Sequence, residues 1–140
     1  MWFAAKKSTN SRLRSSPRRG TSTVEFAVCL PLVAALVFGV IEVSNAVFLQ
    51  NALTSAAYEA ANVASQSGGT ASNAQSRAQA VLSGLGVTSA TVTISPAVTA
   101  STPLATEITV TCSAPLTANS LTFGYLGGPT LTAQVVIPRL

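Results

Sequence analysis

The sequence predicts an α+β protein in which one long N-terminal helix supports a small antiparallel sheet. Apolar residues run without interruption from Phe26 to Ile41, and a helical repeat of polar and apolar residues then continues to about Ser65. Beyond residue 86, β-branched residues alternate with threonine and serine. These patterns predict a helix that is apolar all round in its first half and amphipathic in its second, followed by a modest α+β head.

Positive charge is concentrated at the N-terminus. Six of the eight Lys and Arg residues lie in the first 20 positions, in a polar stretch that also contains Pro17 and Gly20. A basic tract could bind phosphates, but one followed at once by an apolar helix is typical of a signal that holds the N-terminus in the cytoplasm. We therefore expect residues 1–20 to be an unstructured cytoplasmic leader, and we do not expect a nucleic-acid partner.

The membrane span is expected at about residues 24–43. A bilayer core requires about 20 helical residues, and a glutamate lies near each end of this stretch, Glu25 and Glu42. Pro31 removes one helical hydrogen bond and is expected to bend the helix. Gly39 offers a position at which another helix can approach closely.

The head is expected to follow the sequence SGGT at residues 67–70, which breaks a helix. A short second helix is predicted over residues 72–82. Strands are predicted within residues 87–95, 105–116 and 130–138, because β-branched residues recur there at every second position. Residues 121–129 are expected to form a loop or a short hairpin, and the strand order is left open.

The composition argues against catalysis and metal binding. The chain has no histidine and only four carboxylates, which are not clustered, and its serines and threonines therefore lack the usual activating base. Two cysteines, Cys29 and Cys112, do not make a disulfide framework and are interpreted as small buried apolar residues. We expect no enzyme activity, no cofactor, no metal and no small-molecule substrate.

Expectations for single side chains in the second half of the chain are less specific. Glu59 is expected to be solvated or to contact another subunit, and Glu107 to lie on an exposed sheet face. Arg139 is given no role. The aromatic residues are expected to pack in the core rather than bind a ligand, namely Tyr58, Phe123 and Tyr125.

The stretch from residue 18 to about residue 60 resembles TadE-like proteins, the pseudopilins or minor pilins of the tight-adherence (Tad/Flp) type IV pilus system. The resemblance rests on a basic leader that ends in Arg19-Gly20, on Val24-Glu25-Phe26, on Leu30-Pro31-Leu32, and on Phe38-Gly39 with Glu42. It implies a pilin-like fold. Phe26 is typical of TadE-like proteins, whereas the major pilin usually has tyrosine there, and the head is too large for the major pilin.

The resemblance implies cleavage after the glycine by a membrane aspartyl prepilin peptidase at the cytoplasmic face. In this chain the cut bond would join Gly20 and Thr21, and Glu25 would become the fifth residue. Its carboxylate would then pair with the new α-amine of a neighbouring subunit. An unpaired carboxylate in lipid costs about 2–3 kcal/mol, and a buried ion pair is well suited to fixing the register of one helix against another.

The resemblance also implies partners and location. The partners would be the prepilin peptidase, other minor pilins, the major pilin and the inner-membrane assembly platform. The precursor would be a single-pass protein of the inner (cytoplasmic) membrane, N-in and C-out, that reaches the cell surface on assembly. Its expected domains are a removed leader at 1–20, the long helix at 21–65 and an extracytoplasmic head at 66–140. Capping, priming and adhesion remain alternative roles for the head.

Two alternatives place the protein outside a pilus. In the first, a signal peptidase cuts after the small residues SNA at 44–46 and releases a secreted head that begins at Val47. Glu25, Glu42 and the continuous helical pattern fit that cut poorly. In the second, the chain is a signal-anchored extracytoplasmic protein with a small binding domain, and Glu25 is only an interfacial carboxylate.

Overall fold

A computed structural model describes residues 19–120 and 128–140. Its helices are α1 (Arg19–Ser65), α2 (Ala71–Gly84) and α3 (Leu116–Asn119), and its strands are β1 (Thr91–Ser95), β2 (Glu107–Pro115) and β3 (Thr130–Pro138). The α+β class predicted from the sequence is confirmed. The described chain divides into two compact units, one that ends at Ala35 and one that comprises Leu36–Leu140.

The sheet is antiparallel, with the strand order β1-β2-β3. β2 is the central strand, and Cys112 lies opposite Val92 on β1 and Ala133 on β3. Alternate side chains of β2 are fully buried, namely Ile108, Val110, Cys112 and Ala114. The period-two alternation of the sequence therefore identified the inner face of this strand correctly.

The second half of α1 contributes a stripe of small side chains to the core. Leu49 and Leu53 are buried at its start, and alanines recur in pairs beyond them: Ala56, Ala57, Ala60, Ala61 and, at the end, Ala64. Ala74, Ala78 and Leu82 of α2 belong to the same buried cluster. Because alanine has no side chain beyond Cβ, neighbouring elements can approach the backbone of α1 closely.

Two glycines end α1 and turn the chain into α2. Gly68 has a φ of +80°, which favours glycine, and the Gly69 amide donates to the carbonyl of Gln66 at 2.9 Å. A Cβ at Gly69 would collide with the carbonyl oxygen of Val63. Thr70 then caps α2, because its hydroxyl accepts from the amide of Asn73 at 3.3 Å.

Arg139, to which no role was assigned from the sequence, is buried in the fold. Its side chain is only 4% exposed, and its Nη1 donates to the carbonyls of Ala64 and Gly69, each at 3.3 Å. Nη2 lies 3.5 Å from the carbonyl of Ala100. A guanidinium at the C-terminal end of α1 donates to a carbonyl that lacks an intrahelical donor. Its positive charge also interacts favourably with the negative end of the helix dipole.

Some expected boundaries differ in the structure. β1 begins at Thr91 rather than near residue 87, because the preceding residues complete the end of α2: the Val87 amide donates to the carbonyl of Leu82 at 2.9 Å. The next amide, that of Thr88, donates to the side-chain oxygen Oδ1 of Asn119 at 2.7 Å. The one-turn helix α3 was not predicted. Most of the 121–129 loop, with Phe123 and Tyr125, and residues 1–18 of the leader lie outside the described residues.

Replacing Arg139 with methionine should destabilise the head by about 2–3 kcal/mol, because buried carbonyls would lose a charged donor. Arg77→Met is the matched control, since Arg77 makes an exposed ion pair with Glu59 at 3.1 Å. That pair should contribute less than about 1 kcal/mol. Urea unfolding of the detergent-solubilised variants measures both, and equal losses would contradict the buried role of Arg139.

The Cys112 thiol should be unreactive in the folded protein. Burial raises the pKa of Cys112 from 9.0 to about 11, so the nucleophilic thiolate is scarce at pH 8. In a Cys29→Ser variant, iodoacetamide should modify Cys112 at least about tenfold more slowly in buffer than in denaturant. Equal labelling rates in buffer and in denaturant would mean that the thiol is accessible.

The same shift predicts how the stability of the head depends on pH. Because the thiol of the unfolded chain loses its proton at a lower pH than that of the folded chain, stability should be greatest below pH 9 and fall as the pH rises towards 11.

Candidate functional site

The apolar half of α1 carries its side chains on the surface. Phe26 is 68% exposed and Leu32 is 71% exposed, and every Val, Leu, Ile and Phe from Val24 to Val43 is more than one third exposed. By length and composition this is a helix able to cross a membrane, and none of its most apolar window is buried within the protein. Such a surface requires a cover of lipid or of other protein helices.

Glu25 is the only charged residue in the exposed apolar stretch from Val24 to Ile41. Its side chain is exposed, as are those of Thr21 and Phe26. Because Glu25 follows Thr21 by four residues, the two lie on the same face of α1, one turn apart. The structure therefore places a carboxylate one turn from the bond at which cleavage was predicted.

Gly20 and Thr21 lie in the first turn of α1, which begins at Arg19. The sequence had placed the end of the leader at residue 20, so the helix starts slightly earlier than expected. Amides of a first turn have no intrahelical acceptor, which makes this turn the easiest part of a helix to unwind. A protease that needs an extended backbone at Gly20 and Thr21 would break few hydrogen bonds to obtain it.

Pro31 and Gly39 both lie inside α1. The helix continues through Pro31. A Cβ built on Gly39 meets no atom within 4 Å, so the head does not require a glycine at that position. Gly39 instead forms the floor of a shallow apolar groove on the helix surface, together with Leu36, Val40, Val43 and Ser44.

Glu42 differs from Glu25 although each bounds the apolar run. Its side chain is only 3% exposed, although the sequence places it near the end of the predicted membrane span. It lines a groove with Leu116, Pro129 and Leu131 of the head. Glu42 therefore belongs to the head, and the exposed apolar surface before it ends at Ile41. No sequence signal distinguished the two glutamates, because α3 and the start of β3 supply the surroundings of Glu42.

One other expectation for a side chain on α1 is wrong. Tyr58 was expected in the core but is 57% exposed. It lies three turns after Val47, which is 56% exposed, on the same face of the helix. Glu59 is 45% exposed, consistent with the solvated position expected for it, and it pairs with Arg77 of the same chain. Glu107 is exposed, as predicted.

One protein family matches most of α1. Residues 20–62 match the model of the family described as TadE-like protein. Over these residues the N-terminal helix is similar to TadE-like proteins. The resemblance predicted from the sequence is thereby confirmed over a segment that begins at Gly20 and includes Glu25 and Phe26. The match supports an association of the protein with a Tad pilus system and with the membrane.

Neither the curated proteins nor the solved structures contain a significant match to this chain. The family match ends within α1, three residues before its end at Ser65. The match therefore does not extend to the head.

The open space around Gly39 predicts that Gly39→Ala leaves the isolated subunit folded. Alanine should stabilise the helix by about 0.5–1 kcal/mol relative to glycine. Gly69→Ala is the contrasting control, because its Cβ would collide with the Val63 carbonyl, and it should lower the melting temperature. Thermal unfolding by circular dichroism in detergent compares the two. A destabilised Gly39→Ala subunit would show that Gly39 packs against its own chain.

Proposed function

We propose that this protein is a minor pilin, or pseudopilin, precursor of a Tad/Flp-type pilus, and that a prepilin peptidase cuts it between Gly20 and Thr21. One observation carries the proposal: the TadE-like match begins at Gly20 and covers an exposed apolar helix whose single charge, before Glu42, is Glu25. The role is structural. The helix provides for assembly, and the head provides contacts outside the membrane.

Cleavage gives Glu25 a partner that the precursor lacks. The cut exposes a positive α-amine on Thr21, at the edge of the membrane. A neighbouring subunit's Glu25 can reach this amine when the two helices are aligned in one axial register. Because an unpaired carboxylate in lipid is costly, helices in other registers are disfavoured. The ion pair thus selects the register, which is the best-attested use of buried charge pairs.

The remaining features of α1 have roles in the same process. Residues 24–43 hold the subunit in the inner membrane before assembly, with the leader in the cytoplasm and the 66–140 head outside. Phe26 extends the apolar contact beside Glu25. Pro31 leaves a backbone carbonyl without its usual donor and is a place for a bend, and the Gly39 groove admits a neighbouring helix. Partners are the prepilin peptidase, other minor pilins, the major pilin and the assembly platform.

The packing of α1 argues against release by a signal peptidase. Cleavage after Ala46 would cut α1 inside the unit that contains the head and would remove Glu42, which is 3% exposed. Ala46 itself packs against the core cluster. A signal-anchored protein that is never cut remains the second candidate, since the exposed helix serves both roles.

The mature N-terminus provides the first test. Protein extracted from membranes of the native host should begin at Thr21, as determined by intact mass and N-terminal sequencing. Gly20→Val should block the cut, because a branched side chain prevents close approach to the backbone. A chain that begins at Val47 would establish the secreted protein, and an intact leader on the wild-type chain would establish the signal anchor.

The role of Glu25 requires a separate experiment. Glu25→Gln preserves the size of the side chain and should be cleaved as the wild type is, but it should reduce co-purification with pilus partners at least about tenfold, since the ion pair is lost. Glu59→Gln is the control for loss of a carboxylate elsewhere on α1 and should assemble normally. Normal assembly of Glu25→Gln would contradict a role of Glu25 in setting the register, and it would not bear on cleavage between Gly20 and Thr21.

A further inference from the structure

The outer edge of β3 is unpaired within the described part of the chain. The strand order is β1-β2-β3, so β3 is bonded to a neighbouring strand on one side only. It has nine residues, Thr130–Pro138, and none of them is charged. The other edge strand, β1, has only five residues and is followed directly by Pro96. The longer edge is therefore the better template for another strand.

The register shows which backbone groups of β3 point outward. The amide of Arg139 donates to Thr106 at 2.9 Å and that of Leu116 donates to Pro129 at 3.1 Å, so these pairs at the two ends of the β2–β3 ladder are hydrogen-bonded. Hydrogen-bonded and non-bonded pairs alternate along an antiparallel ladder. The residues whose amide and carbonyl face away from β2 are therefore Thr130, Thr132, Gln134, Val136 and, with a carbonyl alone, Pro138.

A side chain from α1 supports this assignment independently. Gln50 Nε2 donates to the carbonyl oxygen of Thr132 at 3.2 Å, which requires that carbonyl to point away from β2. Farther along the strand, the outward groups of Gln134 and Val136 have no hydrogen bond to another element among the described residues. The side chains of both are exposed, and that of Val136 is 55% exposed.

This edge lacks the devices that normally prevent strand pairing. Soluble sheets protect long edges with charged residues, proline or bulges. From Leu131 to Ile137 the strand contains none of them, since its pairing with β2 is continuous from Thr130 to Pro138. Its sequence, TLTAQVVI, combines β-branched residues with an absence of charge, which favours pairing with a second strand.

We propose that β3 is an interaction surface for a second copy of this chain, whose β3 pairs with it antiparallel about Gln134. In this register Gln134 faces Gln134 of the other copy, and Thr132 faces Val136. Each outward amide and carbonyl from Thr132 to Val136 gains a partner, and the Thr132 carbonyl can accept from both Gln50 and the new strand. The pairing lies in the head and does not rest on processing at Gly20.

The strand itself favours a second copy over another partner. An uncharged strand places no like charges opposite each other when it pairs with itself. Pro138, which has no amide, falls opposite Thr130 at the end of the shared ladder, where its missing donor disturbs the pairing least. Two-fold pairing also covers both long edges at once, so that association stops at a dimer.

Disulfide trapping tests the register. In the full chain with Cys29→Ser, Gln134→Cys should form a disulfide-linked dimer in detergent micelles under mild oxidation, since directly opposed residues have Cα atoms about 5.5 Å apart. Thr93→Cys is the matched control: Thr93 is exposed in the same row of the sheet, but on the β1 edge. Dimers from Thr93→Cys at the same rate, or none from Gln134→Cys, would overturn the proposal.

A charge exchange tests the identity of the occupant. Gln134→Lys and Gln134→Glu should each dimerise at least about tenfold more weakly than the wild type, because like charges face each other, and a mixture of the two should recover dimers. At protein concentrations too low for dimers to form, thermal unfolding should be unchanged, since the side chain lies on the exposed face. Undiminished dimers in the single variants, or trapping of Gln134→Cys by a different protein, would exclude the second copy as the occupant.

Discussion

The structure of the head depends on the alanine face of α1 between Ala52 and Ala64. Alanine gives high helix propensity, and its small side chain lets the residues of α2 and the sheet in the same buried cluster pack close to the backbone of α1. A domain of this size buries limited apolar surface, and the second half of α1 adds its buried apolar side chains to the core of the head. Two residues contact the C-terminal end of α1: Gly69 lies against the Val63 carbonyl, and Arg139 donates to the Ala64 carbonyl. These contacts stabilise the end of the helix and the turn that follows it.

Charge is so sparse in this chain that the environment of each charged residue is informative. Among the described charged residues after Gly20, Arg139 is buried on backbone carbonyls, Glu42 is buried beside the head, and Glu59 pairs with Arg77. Glu107 is exposed at the start of the central strand β2, where a charge is ordinary. Glu25 alone is exposed within an apolar surface, which is why an assembly role for its carboxylate is the economical interpretation.

The protein presents two kinds of surface that a single subunit does not satisfy. The first is the apolar wall of α1, which lipid and neighbouring helices can cover without directional bonds. The second is the edge of β3, whose amides and carbonyls need partners at fixed spacing. The proposed packing of helices in the membrane and the proposed pairing of strands between heads thus use different residues, so one can be altered without the other.

Local sequence patterns determined much of this protein: the apolar first half of α1, the amphipathic continuation to Ser65, the break at SGGT, the inner face of β2 and the position of β3. They are readable because helical and strand periodicities, glycine and proline act over a few residues. The spacing between Gly20 and Glu25 is likewise visible in the sequence. Only the resemblance to TadE-like proteins implied that this spacing serves cleavage and assembly.

Tertiary structure alone decided the environments of Glu42, Tyr58 and Arg139. A glutamate at the end of an apolar run has the same local pattern whether lipid or α3 lies beside it, and an aromatic residue on an alanine-rich helix can face either way. Arg139 meets the end of α1 only because β3 returns the chain to that point, about 75 residues after Ala64. The open edge of β3 also depended on strand order, since a strand's own sequence does not reveal how many neighbours it has.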